Sequence, residues 1–193
     1  MPSLVGSEMC IRDRASFSRS MGVVAVAAES RLKGEKLSVA DVLAATGVRG
    51  IRYLLESGGV EELHLNDISP IAVEVIGENL KLNGIEGYTT VTREDANRFL
   101  ASHSVSGERF DFIDIDPYGT PAPFLENALS AVERGGVVAF TATDLAPLCG
   151  IGGRASLRKY GGLPLHNEFC HETAARILSY AVVQALSLIH ISE

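Results

Sequence analysis

Apolar residues run along this chain in two alternating rhythms. Met21, Val24, Ala25, Ala28 and Leu32 recur at the spacing that lines one face of a helix. A compact run rich in branched residues follows at 37–44, and similar runs return at 62–66, 88–92, 110–115 and 137–141. Each has the length and composition of a buried strand. Between them the helical spacing reappears: through Ile51, Leu54 and Leu55 to Ser57-Gly58-Gly59, then from Pro70 through Val73, Ile76 and Leu80 to Asn83-Gly84. Pro70 suits a first helical position, where its missing N–H costs nothing. Phe99 and Leu100 mark a further short helix, 124–132 another, and 168–185 a last long one. Strands alternating with helices predict an α/β fold, a doubly wound and mostly parallel sheet. The stretch 143–162 has neither rhythm and reads as a long loop, a length that is usually functional.

Composition narrows this picture. A chain of 193 residues with 46% hydrophobic content buries one core and needs no second domain. Residues 1–14 follow neither period, and 186–193 stop without a cap or turn; both read as non-native-looking tails around a single domain at 15–185. No apolar run reaches membrane length, so no membrane partner is expected. Cys10, Cys149 and Cys170 are odd in number and lack close spacing, so neither a disulfide framework nor a metal site is expected, and the setting is taken as reducing and cytoplasmic. Cys149, among small residues, reads as a packing residue. The net charge of -7 argues against a free-standing nucleic-acid clamp. Any grip on RNA must lie largely elsewhere.

The chemistry collects where strands end. Thr46-Gly47-Val48-Arg49-Gly50 joins a strand to a helix, a context in which glycine lets a ligand approach the backbone. It lacks the full G-x-G-x-x-G spacing of a pyrophosphate site, which speaks against NAD. Asp67, twenty residues beyond Gly47, stands where a carboxylate can hold ribose hydroxyls, the alternative being a cap for the helix opened by Pro70, a role that Asp67 or Ser69 could serve. Asp95 can accept from an adenine amine beside the Ala96 backbone N–H, or act as a cap. Three such positions on consecutive strands favour S-adenosylmethionine. After the fourth strand comes Asp114-Ile115-Asp116-Pro117-Tyr118-Gly119. The two carboxylates share a face by the strand period. Asp116, beside Pro117-Tyr118, is the candidate base for methylating an exocyclic amine, and Tyr118 the candidate stacking platform. Arg154, Arg158 and Lys159 form a small basic cluster suited to phosphates or simply to solvent.

These segments, together with Thr141-Ala142-Thr143-Asp144, Ala146-Pro147-Leu148-Cys149-Gly150 and Arg158-Lys159-Tyr160-Gly161, occur in an order that resembles the tRNA (guanine(26)-N2)-dimethyltransferases of archaea and eukaryotes over about residues 15–185. The resemblance implies a Rossmann-like class I methyltransferase fold. It also implies S-adenosylmethionine contacts from Arg19, Arg49, Asp67, Asp95 and Ala96, a catalytic Asp116 and a tRNA substrate. Ser18-Arg19-Ser20 departs from the family's usual Asn-Arg-Asp, and Tyr118 replaces a commoner phenylalanine. On this resemblance the family segment before Arg19, which carries another aromatic, is expected to be missing or replaced, and the family's carboxyl-terminal tRNA-binding domain is expected to lie outside this sequence. The last two strands of a complete sheet are also missing, which predicts an unpaired edge beside the fifth strand. Two other readings stay open: transfer to another nucleic-acid or protein amine, and a nucleotide-binding module without catalysis in which Asp116 and Tyr118 are structural.

Overall fold

The computed structural model of the chain describes residues 16–151 and 153–192; the tail 1–14, with Cys10, lies outside them. Five strands, β1 (Leu37–Asp41), β2 (Val60–Asn66), β3 (Thr89–Thr92), β4 (Phe110–Ile115) and β5 (Val132–Phe140), form one sheet in the order β3-β2-β1-β4-β5. Every pairing is parallel, so all five strands end on the same side. The chain winds outward in opposite directions from β1 and β4. A crevice at their carboxyl ends is the geometric result.

Neighbouring residues on the central strands face opposite layers. Leu37, Val39, Leu63, Leu65 and Phe112 pack with residues of α1 (Ser16–Lys33), α2 (Val48–Glu56) and α3 (Pro70–Asn83). Ala40, Val42, Ile113 and Ile115 pack with residues of α4 (Ala96–Ser106) and α5 (Leu125–Ala131). Burial on both faces explains why these strands read as apolar runs rather than as alternating ones. Each fully buried leucine, such as Leu63 or Leu65, contributes about 1.5–3 kcal/mol of transfer free energy.

Three expectations change. The stretch 143–162 is not an open loop: α6 (Leu145–Leu148) and α7 (Gly153–Tyr160) occupy it. They are too short to persist alone. Leu148, Cys149 and Tyr160 instead dock on Ala174, Ile177 and Ala181 of α8 (Cys170–Ser192). Pro147 and the glycines around 150–153 masked this pattern in the sequence. The fifth strand starts earlier than expected, at Val132, and its pairing with β4 is irregular between Phe110 and Phe112. The last helix, α8, runs on to Ser192, past the end expected near 185. β5 is the edge strand of the sheet as described, and an open groove of about 730 Å³ runs between it and the end of α8, lined in part by Arg134, Val182 and Leu186.

Helix α2 lies unusually close to β2. A Cβ at Gly50 would sit 2.4 Å from Leu65 Cδ2, so any larger residue forces the buried Leu65 side chain or the helix to shift. Gly50→Ala is expected to destabilise by about 1–3 kcal/mol through overpacking. Gly77→Ala in α3, where a Cβ would meet nothing within 4 Å, is expected to be neutral or to stabilise by up to about 1 kcal/mol. Urea unfolding of the two variants beside the parent chain measures both.

Candidate active site

The switch between β1 and β4 holds a buried polar cluster centred on Arg49. Arg49 is 8% exposed, and its guanidinium grips the fully buried Asp114 at two points: Nε donates to Oδ2 at 2.5 Å and Nη2 to Oδ1 at 3.1 Å. Nη1 lies 3.3 Å from Asp116 Oδ2 and donates to Ser18 Oγ at 3.3 Å. The Tyr53 hydroxyl, also buried, donates to Asp114. Burial disfavours the Arg49 charge, but the bond and the charge of Asp114 outweigh it, so its pKa is raised. Tyr53 is held in its protonated form, first by burial and then by the charge of Asp114.

Two further carboxylates take different environments. Asp41, 1% exposed at the end of β1, accepts from the Gly50 N–H at 3.1 Å, while its Oδ1 has no hydrogen-bond partner among the described residues. Burial, then the charge of Asp114, push it up to about 8. It therefore carries a proton at neutral pH. Asp116 emerges just past β4 with 29% of its side chain exposed. Burial raises its pKa; Arg49 opposes that, Asp114 reinforces it, and a Thr141 hydrogen bond and the charge of Arg19 pull it back in part. The net displacement is upward, which makes Asp116 a stronger proton acceptor than a free aspartate.

Around this cluster the loops are tied to one another. Gly47 takes a left-handed conformation, φ 75°, as it turns into α2, and Ala45 also has positive φ at 51°. The second is uncommon for a residue with a Cβ. Asp67 holds that loop by accepting from the Ala45 N–H at 2.9 Å, and its other oxygen accepts from the Ser69 N–H at 2.9 Å. Ser69, not Asp67, caps α3. Asp95 caps α4 through the N–H groups of Asn97 and Arg98, and the buried Ala96 opens that helix. Arg19 is buried on α1. Ser18 and Ser20, on either side of it, accept from Arg49 and Arg52 respectively.

Tyr118 lies on the turn after β4 and is 88% exposed. That turn is anchored. Gly119 donates to Thr143 Oγ1 at 2.8 Å, and its carbonyl accepts from the N–H groups of Thr143 and Asp144. Asp144 in turn accepts from Tyr160 and Lys159 at 2.8 and 2.9 Å. Lys159 is thus engaged in an ion pair, while Arg154 and Arg158 stand exposed on α7.

The structure gathers Arg19, Arg49, Asp114 and Asp116 into one electrostatic cluster, and it joins Gly47 to Asp67 through the 45–47 loop. Asp95 and Ala96, at the start of α4, and Tyr118, on the turn after β4, stand at the same end of the sheet but apart from that cluster. Several residues at this end were not singled out from the sequence. Asn66, fully buried, donates to the carbonyls of Val42 and Glu94 and accepts from Thr92 and the Glu94 N–H, pinning three strand ends together. Asn79 supports the Thr46 carbonyl at 2.9 Å from α3. A buried amide inside an apolar helix face was the available clue for Asn79. Tyr53 gave none, because an aromatic at helical spacing reads as core.

Strand order, the left-handed turn after β1 and the strand-end carboxylates define a class I methyltransferase domain of the Rossmann-like type. A methyltransferase from Agrobacterium tumefaciens shares this fold at 19% identity and a TM-score of 0.55. Closer likenesses identify the family. The profile of the N2,N2-dimethylguanosine tRNA methyltransferases matches residues 12–189. The tRNA (guanine(26)-N(2))-dimethyltransferase of Methanothermobacter thermautotrophicus is 47% identical over 163 residues, covering 84% of this chain and 42% of the relative. The tRNA (guanine(26)-N(2)/guanine(27)-N(2))-dimethyltransferase of Aquifex aeolicus is 40% identical over 187 residues, covering 95% and 47%. Trm1 from Pyrococcus horikoshii, solved with S-adenosyl-L-methionine, superposes with a TM-score of 0.78 at 39% identity, covering 90% of this chain and 48% of that one. The chain belongs to the N2,N2-dimethylguanosine tRNA methyltransferase family. It spans less than half the length of these relatives.

Asp114→Ala, which strands the buried Arg49 charge, is expected to cost about 3–5 kcal/mol in denaturant unfolding. Asp41 behaves differently. Its folded pKa of about 8 lies above the ordinary 3.8, so the stability that its protonation contributes is fully present below about pH 4 and is lost as the pH rises through 8. Relative to Asp41→Asn, the parent chain is expected to lose up to about 1.4 kcal/mol per pH unit across that window. Paired urea titrations at pH 4.5, 6.5 and 8.5 test the sign.

Proposed function

We propose that this chain is the catalytic portion of an S-adenosylmethionine-dependent tRNA (guanine(26)-N2)-dimethyltransferase. The observation that carries the reading is Asp116, half-buried against Arg49 at the mouth of the switch-point crevice and two residues before the exposed ring of Tyr118. The donor set fits the cofactor. Asp67 and Asp95 offer carboxylate oxygens for hydroxyl and amino groups, and Ala96 offers a backbone N–H. Gly47 offers a surface without a Cβ, and Arg19 and Arg49 supply positive charge. When bound there, S-adenosylmethionine supplies a methyl group on an electrophilic sulfonium.

The remaining work falls to the chain's own side chains. The exocyclic amine of guanine is a poor nucleophile because its lone pair is delocalised into the ring. Asp116 accepts a hydrogen bond from that amine, concentrates the lone pair on nitrogen and takes the proton as the new N–C bond forms. Arg49 fixes the carboxylate's position, and the partial burial that raises its proton affinity also suits it to the task. Tyr118 gives the extruded base a face to stack on, offsetting the cost of taking it out of the RNA stack. The bonds from Gly119 to Thr143 and Asp144 hold that platform still. The negative charge of the chain agrees with a tRNA grip supplied chiefly by another part of the protein, with Arg154 and Arg158 as a local contribution. A cytoplasmic setting belongs to the same reading.

Calorimetry with S-adenosylmethionine and with NADH, followed by transfer of labelled methyl groups to unmodified tRNA under excess protein, tests the proposal. Binding of the first ligand alone, and incorporation into tRNA carrying guanine at position 26 but not adenine, are expected. Asp116→Ala should keep cofactor binding and lose transfer by about 100-fold or more. Undiminished transfer in that variant would overturn the assignment of the base. Labelling that ignores the base at position 26 would overturn the acceptor.

A further inference from the structure

A second cluster of reactive side chains lies where α6 meets α8, and it forms no part of the methyl-transfer site. Cys149 follows α6; Cys170 and His171 open α8. One ligand atom from each, two thiol sulfurs and an imidazole nitrogen, lies within 4.8 Å of both others. Cys149 Sγ and His171 Nδ1 are 3.7 Å apart. Around a tetrahedral zinc ion, bonds of about 2.3 Å to sulfur and 2.0–2.1 Å to nitrogen place such atoms roughly 3.6 Å apart, and two sulfurs roughly 3.8 Å apart. The three groups therefore need to close by an ångström or less. Spacing alone does not reveal this cluster, because the ligands come from segments about twenty residues apart and show no close cysteine spacing.

The surroundings favour a metal over chance proximity. Cys149 is buried, Cys170 half-buried and His171 exposed, so the cluster has an apolar floor and an open side for entry. Leu148, Ala174 and Ile177 form that floor, and they fix the two helix ends against each other. The loop around Cys149 is held as well. His166 Nδ1 lies 3.0 Å from the Cys149 carbonyl, and Gly150, at φ 94°, passes so close to His166 that a Cβ would meet its backbone nitrogen at 2.8 Å. Two thiolates and an imidazole are soft and borderline donors, the set that selects zinc over magnesium or calcium.

We propose that Cys149, Cys170 and His171 bind a zinc ion, with water as the fourth ligand, and that the ion clamps the segment bearing α7 onto the start of α8. That segment carries Lys159 and Tyr160, whose bonds to Asp144 brace the turn of Tyr118. The metal is thus a fastener for the rim of the methyl-transfer site and stands apart from the chemistry itself. Binding releases the protons of both thiols to solvent and involves no change of oxidation state.

The test uses the whole chain carrying Cys10→Ser, so that any thiolate signal comes from Cys149 and Cys170. The protein is made metal-free under reductant and titrated with cobalt(II), then with zinc. One equivalent of cobalt is expected to give tetrahedral visible bands with thiolate charge transfer, all removed by zinc, and zinc is expected to raise the unfolding temperature. Cys170→Ser is close to isosteric at a half-buried position and His171→Ala alters an exposed one, so both variants are expected to keep the fold. Each should weaken zinc by more than about tenfold, a loss that even outer partners of a metal site can cause. Any of three results overturns the proposal: no cobalt taken up by the reduced chain, cobalt binding without charge transfer, or zinc affinity unchanged in either variant.

Discussion

The ion pair between Arg49 and Asp114 is the contact on which the rest of this molecule turns. It sits where β1 and β4 part, beneath the crevice, and removes two charges from water. Such a pair seldom repays its desolvation as stability. Its return is positional. Tyr53 supplies a further donor to Asp114, protonated Asp41 adds no second negative charge, and the free edge of the guanidinium is left pointing at Asp116. A hydrophobic replacement could hold the helix to the sheet equally well, but it could not hold a carboxylate at the mouth of the crevice with its proton affinity adjusted.

Above that pair the loops form a bonded array rather than a set of independent tips. Asn66 satisfies all of its side chain's hydrogen-bonding capacity across three strand ends, and Asp67 secures a loop that carries two residues of positive φ. On the other side Gly119, Thr143, Asp144 and Tyr160 do the same for the aromatic turn. Ligand sites need preorganised groups, and here the order comes from backbone-directed bonds more than from packing.

Much of this was legible before any coordinates. Strands buried on both faces write themselves as apolar runs, and a parallel sheet puts every strand's following residue on one side, so Asp67, Asp95 and Asp116 could be placed together from their positions alone. What escaped had no periodic imprint. Tyr53 reaches Asp114 across 61 residues, and Thr120 reaches Tyr160 across 40. Helices α6 and α7 exist because α8 covers them, while their own sequence, broken by Pro147 and glycines, argues for a loop. Cys149 and His171 meet for the same reason: docking brings together what spacing does not.

The strand order has a consequence for how the chain comes together. β1, β2 and β3 follow one another and pair as neighbours, whereas β4 must reach β1 from about seventy residues downstream. Closing that distance is the slow kind of step, since loop entropy is lost before any contact is gained. Arg49 belongs to the early segment and Asp114 to the late one. The cleft therefore does not exist as a polar site until the longest connection in the sheet is made, and the group that orients Asp116 also records that the two halves have joined.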